Sequence, residues 1–306
     1  MPSTLPDTTL AASPQPVAVS APPLWRDYLE LTKPEISFLV VISALAGFLL
    51  GSPDVLDGWQ LFFTLIGVAL TAGGACVLNH YFEREIDGAM KRTAGRPLPT
   101  GRIPARHAFY FGIGLLSAGI AIVCPLVNPL TALLATLTAV LYIAVYTPLK
   151  RKTKYNTMVD TIPGALPALG GWTAATGSLG WGGVAIFAVL ALWQMPHFLS
   201  LAWMYRKDYG RADYAMLPVV EPDGRSTAQQ TLFCTAALLV ASLLPTALGV
   251  AGLVYLLSAI ALGAWFLVPA WRFYHERTNA NARRVLKASI YYVPLLVLAI
   301  FVDWLV

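Results

Sequence analysis

Three side chains that carry oxygen ligands recur at every fourth position of one short segment. They are Asn79, Glu83 and Asp87, and they lie in the stretch NHYFEREIDGAMKRTAGRP at residues 79–97. On an α-helix of ~3.6 residues per turn, this spacing places all three on one face. Carboxylate and amide oxygens suit Mg²⁺, which proteins usually hold with one or two carboxylates plus substrate phosphates. The spacing therefore predicts a Mg²⁺ site on these three residues.

Basic residues follow the carboxylates within ten positions. Lys91, Arg92 and Arg96 come next, and Gly88, Gly95 and the stretch RPLPTG would bend the chain back over the carboxylates. Guanidinium groups bind phosphate oxygens in a bidentate manner. Together these residues predict a site for a metal-bridged diphosphate. The same charges could instead form ion pairs along the cytoplasmic end of a helix, and spacing alone leaves that alternative open.

The elements that must position these residues are membrane helices. The chain has 306 residues, of which 57% are hydrophobic and 12% charged, and its mean hydropathy is +0.63. This composition is typical of an all-α, polytopic integral membrane protein. Apolar runs of about 20 residues, each long enough to cross a bilayer, predict nine spans. They lie near residues 35–52, 59–83, 107–126, 129–147, 157–176, 182–205, 229–247, 249–272 and 286–305.

Residues 1–24 differ from the rest of the chain. They are rich in Pro, Ser, Thr and Ala and contain no Lys or Arg. We predict a disordered tail here, followed by one transmembrane domain at residues 25–306. The tail resembles neither a signal peptide nor an Arg-rich mitochondrial presequence, which favours a bacterial over a mitochondrial location.

The basic residues are distributed on one side of the predicted spans. All 21 Lys and Arg residues fall in the N-terminal segment or in the connections that follow the second, fourth, sixth and eighth spans. The positive-inside rule then predicts a cytoplasmic N-terminus and an external C-terminus. The net charge of +5 is therefore explained by topology and anionic lipid headgroups rather than by nucleic acid.

The acidic segment also resembles a known family. N-x-x-x-E-x-x-x-D followed by MKRTAGRPLPTGRI looks like the first acidic motif of the UbiA superfamily of membrane prenyltransferases. Its closest resemblance is to the protohaem IX farnesyltransferase branch, with Glu83 and Glu85 in place of Asp. Three further stretches agree with that branch: LTKPEIS at 31–37, YTPLKRKTKYNT at 146–157 and WQMPHFLSLAWMYRKDY at 193–209. Asp160 departs from the pattern, and we expect it to face Lys154 or the cytoplasmic cavity.

The resemblance implies a nine-helix UbiA-type bundle in the bacterial inner membrane. It implies transfer of a farnesyl group from farnesyl diphosphate to the 2-vinyl group of haem B, with addition of water. Mg²⁺ would be the cofactor and haem B a substrate, while haem A synthase or oxidase assembly factors are further candidate partners. The diphosphate-binding residues implied are Lys91, Arg92, Arg96, Lys150, Arg151, Arg206 and Lys207. Tyr146 and Asp208 would position the substrate.

The sixth predicted span carries a proline and a histidine side by side. Pro196 removes one backbone hydrogen bond, and such breaks are tolerated in membranes where the backbone lines a cavity or is buried in protein. His197 follows directly, so we expect it to face the cavity and to take part in catalysis. A hydrogen-bonded packing residue is the alternative interpretation of the same histidine.

Two other functions fit parts of the pattern. A sister enzyme that prenylates a small aromatic quinone precursor would share the first acidic motif, but we would expect a full second motif. Here Asp208 and Asp213 are five residues apart. A transporter or haem-handling scaffold would need a polar path to the outer face, and the one-sided polar residues provide none.

Overall fold

In the computed structural model, which describes residues 23–52 and 55–306, every regular element is helical. This confirms the predicted all-α fold. The predicted disordered tail lies, except for its last two residues, outside the described part of the chain. The helices are α1 (Leu24–Leu31), α2 (Pro34–Leu50), α3 (Gly58–Asp87), α4 (Ala105–Leu126), α5 (Pro129–Val140), a π-helix (Leu141–Tyr146), α6 (Thr147–Leu149), α7 (Asn156–Thr176), α8 (Trp181–Met204), α9 (Arg206–Arg211), α10 (Leu217–Val220), α11 (Arg225–Ala241), α12 (Leu244–Ala247), α13 (Leu253–His275) and α14 (Asn279–Leu305).

The number of spans is smaller than the nine predicted. Within the described ranges, seven helices are long and apolar enough to cross a membrane, or eight if α1 and α2, which meet at 47°, form one bent span. The remaining predicted span, 157–176, is α7. Its 21 residues are long enough to cross, but they include Asn156, Asp160 and several Thr and Gly residues, which lower its hydropathy. Such a polar helix can lie in a membrane only when other helices surround it.

α7 is surrounded in this way, and it crosses α2 at very close range. A Cβ atom built on Gly171 would lie 1.8 Å from the carbonyl oxygen of Ala44, and one on Gly47 would lie 1.8 Å from that of Ala168. Small residues at a crossing let two helix backbones approach, which is the usual way membrane helices gain packing energy. The glycines therefore hold α7 against α2 in the middle of the bundle.

The bundle closes on itself because its last helix packs against its first long one. α14 packs on α2, α8 and α13, and the indole nitrogen of Trp304 donates to the carbonyl oxygen of Ser52 at 2.7 Å. The Asp303 carboxylate accepts a hydrogen bond from the backbone N–H of Tyr255, at the start of α13, at 3.0 Å. The largest hydrophobic core, which includes the fully buried Phe266 and Tyr292, fills the space between these helices.

α8 is continuous through Pro196, although this residue lacks the backbone N–H that would pair with the carbonyl oxygen of Leu192. The helix runs without interruption from Trp181 to Met204. A proline inside a membrane helix is tolerated where the disturbed backbone is buried in protein. Pro196 is therefore accommodated in a helix that is packed on several sides.

Candidate active site

Asn79, Glu83 and Asp87 occupy one face of the last three turns of α3. The helix extends to Asp87, four residues beyond the predicted end of the span, so all three residues lie on it. Their relative exposures are 0%, 4% and 1%. Buried carboxylates are costly unless they are paired or bind a cation. Cations or hydrogen-bond donors must therefore compensate the two buried carboxylates.

A different basic residue contacts each member of this face. Lys33 Nζ donates to Asn79 Oδ1 at 2.6 Å, and Lys150 Nζ donates to Glu83 Oε1 at 2.7 Å. Arg96 Nη1 donates to Asp87 Oδ2 at 2.8 Å. These cations come from three separate connections between helices. We call the six residues Lys33, Asn79, Glu83, Asp87, Arg96 and Lys150 the polar face.

Sequence reasoning missed Lys33 as a member of this site. The residue lies at the bend between α1 and α2, where its φ of 47° is the left-handed conformation, rare for a non-glycine residue. Such strained residues are often found at functional sites. In the sequence, LTKPEIS carries only a family resemblance, and no local spacing connects Lys33 to Asn79, which is 46 residues away.

Lys150 reaches Glu83 because the end of the α5 segment is irregular. The π-helix Leu141–Tyr146 precedes it, and wide turns of this kind occur frequently at functional sites. Lys150 Nζ lies 4.7 Å from the centroid of the Tyr146 ring and 5.7 Å from that of Tyr214. Burial lowers the pKa of Lys150, but the Glu83 carboxylate outweighs this and holds that pKa above its ordinary value. The ammonium is therefore charged.

Arg96 reaches Asp87 because the chain turns back after α3, as the glycines and prolines there predict. The hydroxyl of Thr93 donates to the carbonyl oxygen of Asp87 at 2.7 Å, which closes the end of the helix. Arg92 instead lies over the Tyr205 ring, with its guanidinium carbon 5.2 Å from the centroid. The connection thus brings one arginine to the carboxylates and the other to the end of α8.

Several other predicted site residues do not pair with the carboxylates of α3. Arg206 donates to the carbonyl oxygen of Trp203 and to Asn279 Oδ1 at 2.9 Å, so it is directed toward α14. Asp208 accepts from Arg211 at 2.8 Å. Three further predicted phosphate-binding residues have exposed side chains: Lys91, Arg151 and Lys207. Of the seven predicted phosphate-binding residues, only Arg96 and Lys150 pair with the carboxylates of α3.

Asp160 and Lys154 do not pair, contrary to one of the two expectations for Asp160. Lys154 Nζ contacts Glu221 Oε1 at 2.6 Å instead, and this contact raises the pKa of Lys154 and lowers that of Glu221. Asp160 is buried, with a relative exposure of 7%. It lies on α7, which packs against the π-helix that carries Tyr146.

His197 lies on α8 and pairs with α14. Its Nδ1 atom lies 2.8 Å from Ser289 Oγ, and its ring stacks on that of Trp193 with centroids 5.2 Å apart. The imidazole is half-buried. One ring nitrogen therefore makes the hydrogen bond expected of a packing residue, while the half-buried ring leaves room for a second contact.

An apolar cavity continues the same face of α3 deeper into the bundle. Its lining includes Val68, Ala72 and Ala75 of α3, with Thr138 of α5 and Leu166 of α7. Positions 68, 72, 75, 79, 83 and 87 are three or four residues apart, so the cavity lies in line with the polar face. Its volume is about 40 Å³. Small aliphatic side chains rather than aromatic ones surround it.

The polar face offers oxygen ligands to a hard cation. Asp87 Oδ1 is buried and has no hydrogen-bond partner among the described residues, although an unsatisfied carboxylate oxygen is costly. In the part of the chain that the structure describes, no three His, Cys, Asp or Glu side chains converge as a metal site. A cation here would need Asn79 and ligands from outside the protein as well, a pattern typical of Mg²⁺ with a phosphorylated substrate.

Comparison with known proteins identifies the family. A profile of the UbiA prenyltransferase family matches residues 40–293, which include the whole acidic face of α3, Lys150 and His197. The chain belongs to the UbiA prenyltransferase family. This UbiA-family chain is 60% identical, over 281 residues, to a protein of Salinibacter ruber named "Protoheme IX farnesyltransferase". The match covers 92% of this chain and 99% of that relative.

Other relatives of the UbiA-family chain agree. A protein of Solibacter usitatus with the same name is 45% identical, over 89% of this chain and 96% of its own length. Among solved structures, digeranylgeranylglyceryl phosphate synthase matches 92% of this chain and 98% of its own, with a TM-score of 0.75 and 21% identity. A UbiA homologue from Archaeoglobus fulgidus bound to DMAPP and Mg²⁺ matches 92% of this chain and 99% of its own, with a TM-score of 0.69 and 19% identity. These two structures support the fold.

Proposed function

We propose that this chain transfers the farnesyl group of farnesyl diphosphate to the 2-vinyl group of haem B, with addition of water. The products are haem O and diphosphate. The observation that carries the proposal is the 60% identity, over nearly the whole chain, to a relative named for this activity. The polar face and the apolar cavity beneath it supply the chemistry that such a transfer needs.

The polar face suits the leaving diphosphate. Breaking the allylic C–O bond leaves a carbocation and places negative charge on the diphosphate. Lys33, Arg96 and Lys150 already converge on this face, and their donors can move from the carboxylates to phosphate oxygens. Donors that are held in place before the charge develops stabilise it without reorganisation. This role accounts for the position of three half-buried cations on the oxygen-bearing face of α3.

Mg²⁺ fits the same face. Asn79 Oδ1, Glu83 and Asp87 Oδ1 are hard oxygen ligands, and the last of these lacks a hydrogen-bond partner among the described residues. A bound Mg²⁺ would neutralise charge on the diphosphate as a Lewis acid. The relative from Archaeoglobus fulgidus, whose structure contains DMAPP and Mg²⁺, supports this proposal through its similar fold.

The cavity below the polar face suits the prenyl chain. From Asn79 to Val68 the helix descends ~16 Å, at ~1.5 Å per residue. The apolar lining would shield the carbocation from early capture by water. At about 40 Å³ the cavity is smaller than a farnesyl chain, so binding must widen the space between α3, α5 and α7.

The chain is a multi-pass membrane protein, and we assign the active side to the cytoplasm. The basic residues lie in connections at one end of the bundle, where the positive-inside rule places the cytoplasm. The same rule assigns the N-terminus to the cytoplasm and, if α7 also crosses, the C-terminus to the outside, in the inner membrane of a bacterium. Farnesyl diphosphate and haem B would then enter from the cytoplasmic side or from the inner leaflet.

One assay separates this function from its rivals. Purified protein is mixed with Mg²⁺, farnesyl diphosphate and either haem B or 4-hydroxybenzoate, and the products are identified by mass. Farnesylated, hydrated haem is the expected product. A prenylated benzoate would indicate the sister activity on quinone precursors, and no diphosphate release with any acceptor would favour a transporter or scaffold.

A further inference from the structure

His197 and Ser289 form a close side-chain contact, in which the donor depends on the tautomer of the histidine. Ser289 Oγ donates to the carbonyl oxygen of Leu286 at 2.7 Å and lies 2.8 Å from His197 Nδ1. A hydroxyl group has a single hydrogen to donate. With that hydrogen directed at Leu286, Ser289 Oγ is the acceptor for the imidazole.

This arrangement corresponds to one tautomer of His197, in which Nδ1 carries the hydrogen that Ser289 Oγ accepts. A neutral imidazole has one N–H, and its other nitrogen is an acceptor. Nε2 therefore presents a lone pair. Trp193 fixes the arrangement further, because its indole nitrogen donates to the carbonyl oxygen of Ser289 at 2.8 Å and its ring stacks on the imidazole.

The half-buried imidazole lies inside the bundle. α8 packs against α2, α7, α11 and α14, and its large exposed apolar side chains are limited to Trp181 and Val184, both in its first turn. The rest of the helix carries no large apolar side chain that is fully exposed, and the half-buried imidazole lies on a helix that other helices contact on several sides.

His197 also lies at the depth of the polar face. Ala202, near the end of α8, belongs to the same small hydrophobic cluster as Met90, which follows the end of α3. His197 precedes the end of α8 by seven residues, and Asn79 precedes the end of α3 by eight. At ~1.5 Å per residue both lie ~10–12 Å below those ends.

We propose that Ser289 is a positioning residue that holds His197 with Nε2 as a proton acceptor for the water that adds to the substrate. This inference rests on the proposed function. The vinyl group attacks the farnesyl cation, which leaves a cation on the haem side chain. Water oxygen then bonds to that carbon, its O–H bond breaks, and Nε2 takes the proton with its lone pair. The Glu83 and Asp87 carboxylates are engaged by cations and are poorer acceptors.

The tautomer can be tested without substrate. Protein labelled with ¹⁵N-histidine is purified in detergent, and the His197 signals are assigned by comparison with His197→Gln. We expect a protonated Nδ1 and an unprotonated Nε2 in the wild type, and a mixture of both tautomers in Ser289→Ala. A proton on Nε2 in the wild type would overturn the proposal.

The role in water addition is tested by the ratio of two products. Without a positioned water, the haem cation loses a proton and gives a farnesyl haem that is lighter by one water. We expect Ser289→Ala and His197→Asn to lower the hydrated-to-dehydrated ratio at least tenfold. The Asn variant retains a donor for Ser289, which separates folding from proton acceptance. Wild-type ratios in both variants would overturn the proposal, whereas no haem product from the wild-type protein would instead contradict the proposed function.

Discussion

Lys150 Nζ lies 2.7 Å from Glu83 Oε1, although 67 residues separate them in the chain. Both side chains are largely buried, with exposures of 11% and 6%. A buried ion pair of this kind adds little net stability, but removing one partner leaves an uncompensated charge. The pair thus connects α3 to the end of the α5 segment, and it presents a cation beside the acidic face.

Removing one member of this pair should lower the free energy of unfolding more than removing both. We expect Lys150→Met to lower the free energy of unfolding by about 3–5 kcal/mol, since it leaves Glu83 buried and unpaired. The double variant Lys150→Met/Glu83→Gln should recover most of that loss and remain inactive. Thermal unfolding in detergent measures the stability of each variant, and the farnesyl transfer assay measures its activity. Equal instability of the single and double variants would argue against the pair.

Substitution should distinguish the predicted metal ligand Asp87 from the nearby carboxylate of Glu85, which is not a predicted ligand. We expect Asp87→Asn to reduce turnover more than tenfold, a barrier increase above ~1.4 kcal/mol, because Asp87 Oδ1 has no hydrogen-bond partner in the part of the chain that the structure describes. Glu85→Gln is the matched control, since Glu85 is on the same helix with 84% of its side chain exposed. EDTA should abolish wild-type activity, and added Mg²⁺ should restore it. Retention of a tenth of the wild-type rate by Asp87→Asn would remove it from the metal site.

Arg96 and Arg92 should differ in their effects on diphosphate binding. Arg96 is paired with Asp87, whereas Arg92 lies over Tyr205. We expect Arg96→Ala to raise the KM for farnesyl diphosphate at least tenfold with little change in haem affinity. Arg96→Lys should recover part of the loss, because an ammonium cannot form the bidentate contact. Arg92→Ala should have the smaller effect.

Two measurements complete the test of the arginines. The control is Arg106→Ala, because Arg106 is exposed at the start of α4. Haem B binding is followed optically, and the KM for farnesyl diphosphate is obtained from diphosphate release. If Arg96→Ala weakened haem binding and left the KM unchanged, the guanidinium would contact the propionates of haem rather than the diphosphate.

Chain-length preference should respond to side-chain size in the cavity. Ala75 lies one turn below Asn79 on the lining face of α3, so Ala75→Leu should shorten the space for the prenyl chain. We expect the ratio of geranyl to farnesyl transfer to rise severalfold, measured by product mass with equal concentrations of both diphosphates. Ile66→Phe, on the exposed face of the same helix, should leave the ratio unchanged. An unaltered ratio in Ala75→Leu would place the chain elsewhere.

The crossing of α2 and α7 should tolerate no side chain at Gly171. Its Cβ would lie 1.8 Å from the carbonyl oxygen of Ala44, a backbone atom that cannot move aside cheaply. We expect Gly171→Ala to destabilise the protein by more than about 3 kcal/mol, the upper range for overpacking. The neighbouring Gly170→Ala meets nothing within 4 Å and should fold normally. Folded yield after size-exclusion chromatography distinguishes the two variants.

The amino-acid sequence by itself determined the features that depend on local periodicity. Apolar runs predicted an all-helical membrane protein, and the four-residue spacing of Asn79, Glu83 and Asp87 placed them on one face. Both predictions follow from the geometry of a single helix. The same reasoning predicted nine spans, whereas seven or eight of the described helices are apolar enough to cross on their own. The difference is α7, whose polar residues depend on neighbouring helices for burial.

Only the tertiary structure decided which cation meets which carboxylate. Lys33 and Lys150 reach α3 across 46 and 67 residues, and the contact between His197 and Ser289 spans 92. Nothing in local spacing encodes these distances, since they result from how helices pack around Gly47 and Gly171 and from the π-helix before Lys150. Arg206, Lys207 and Asp208 illustrate the same limit: their charges suit a phosphate, but the packing of α8 against α14 directs Arg206 to Asn279 and away from the polar face.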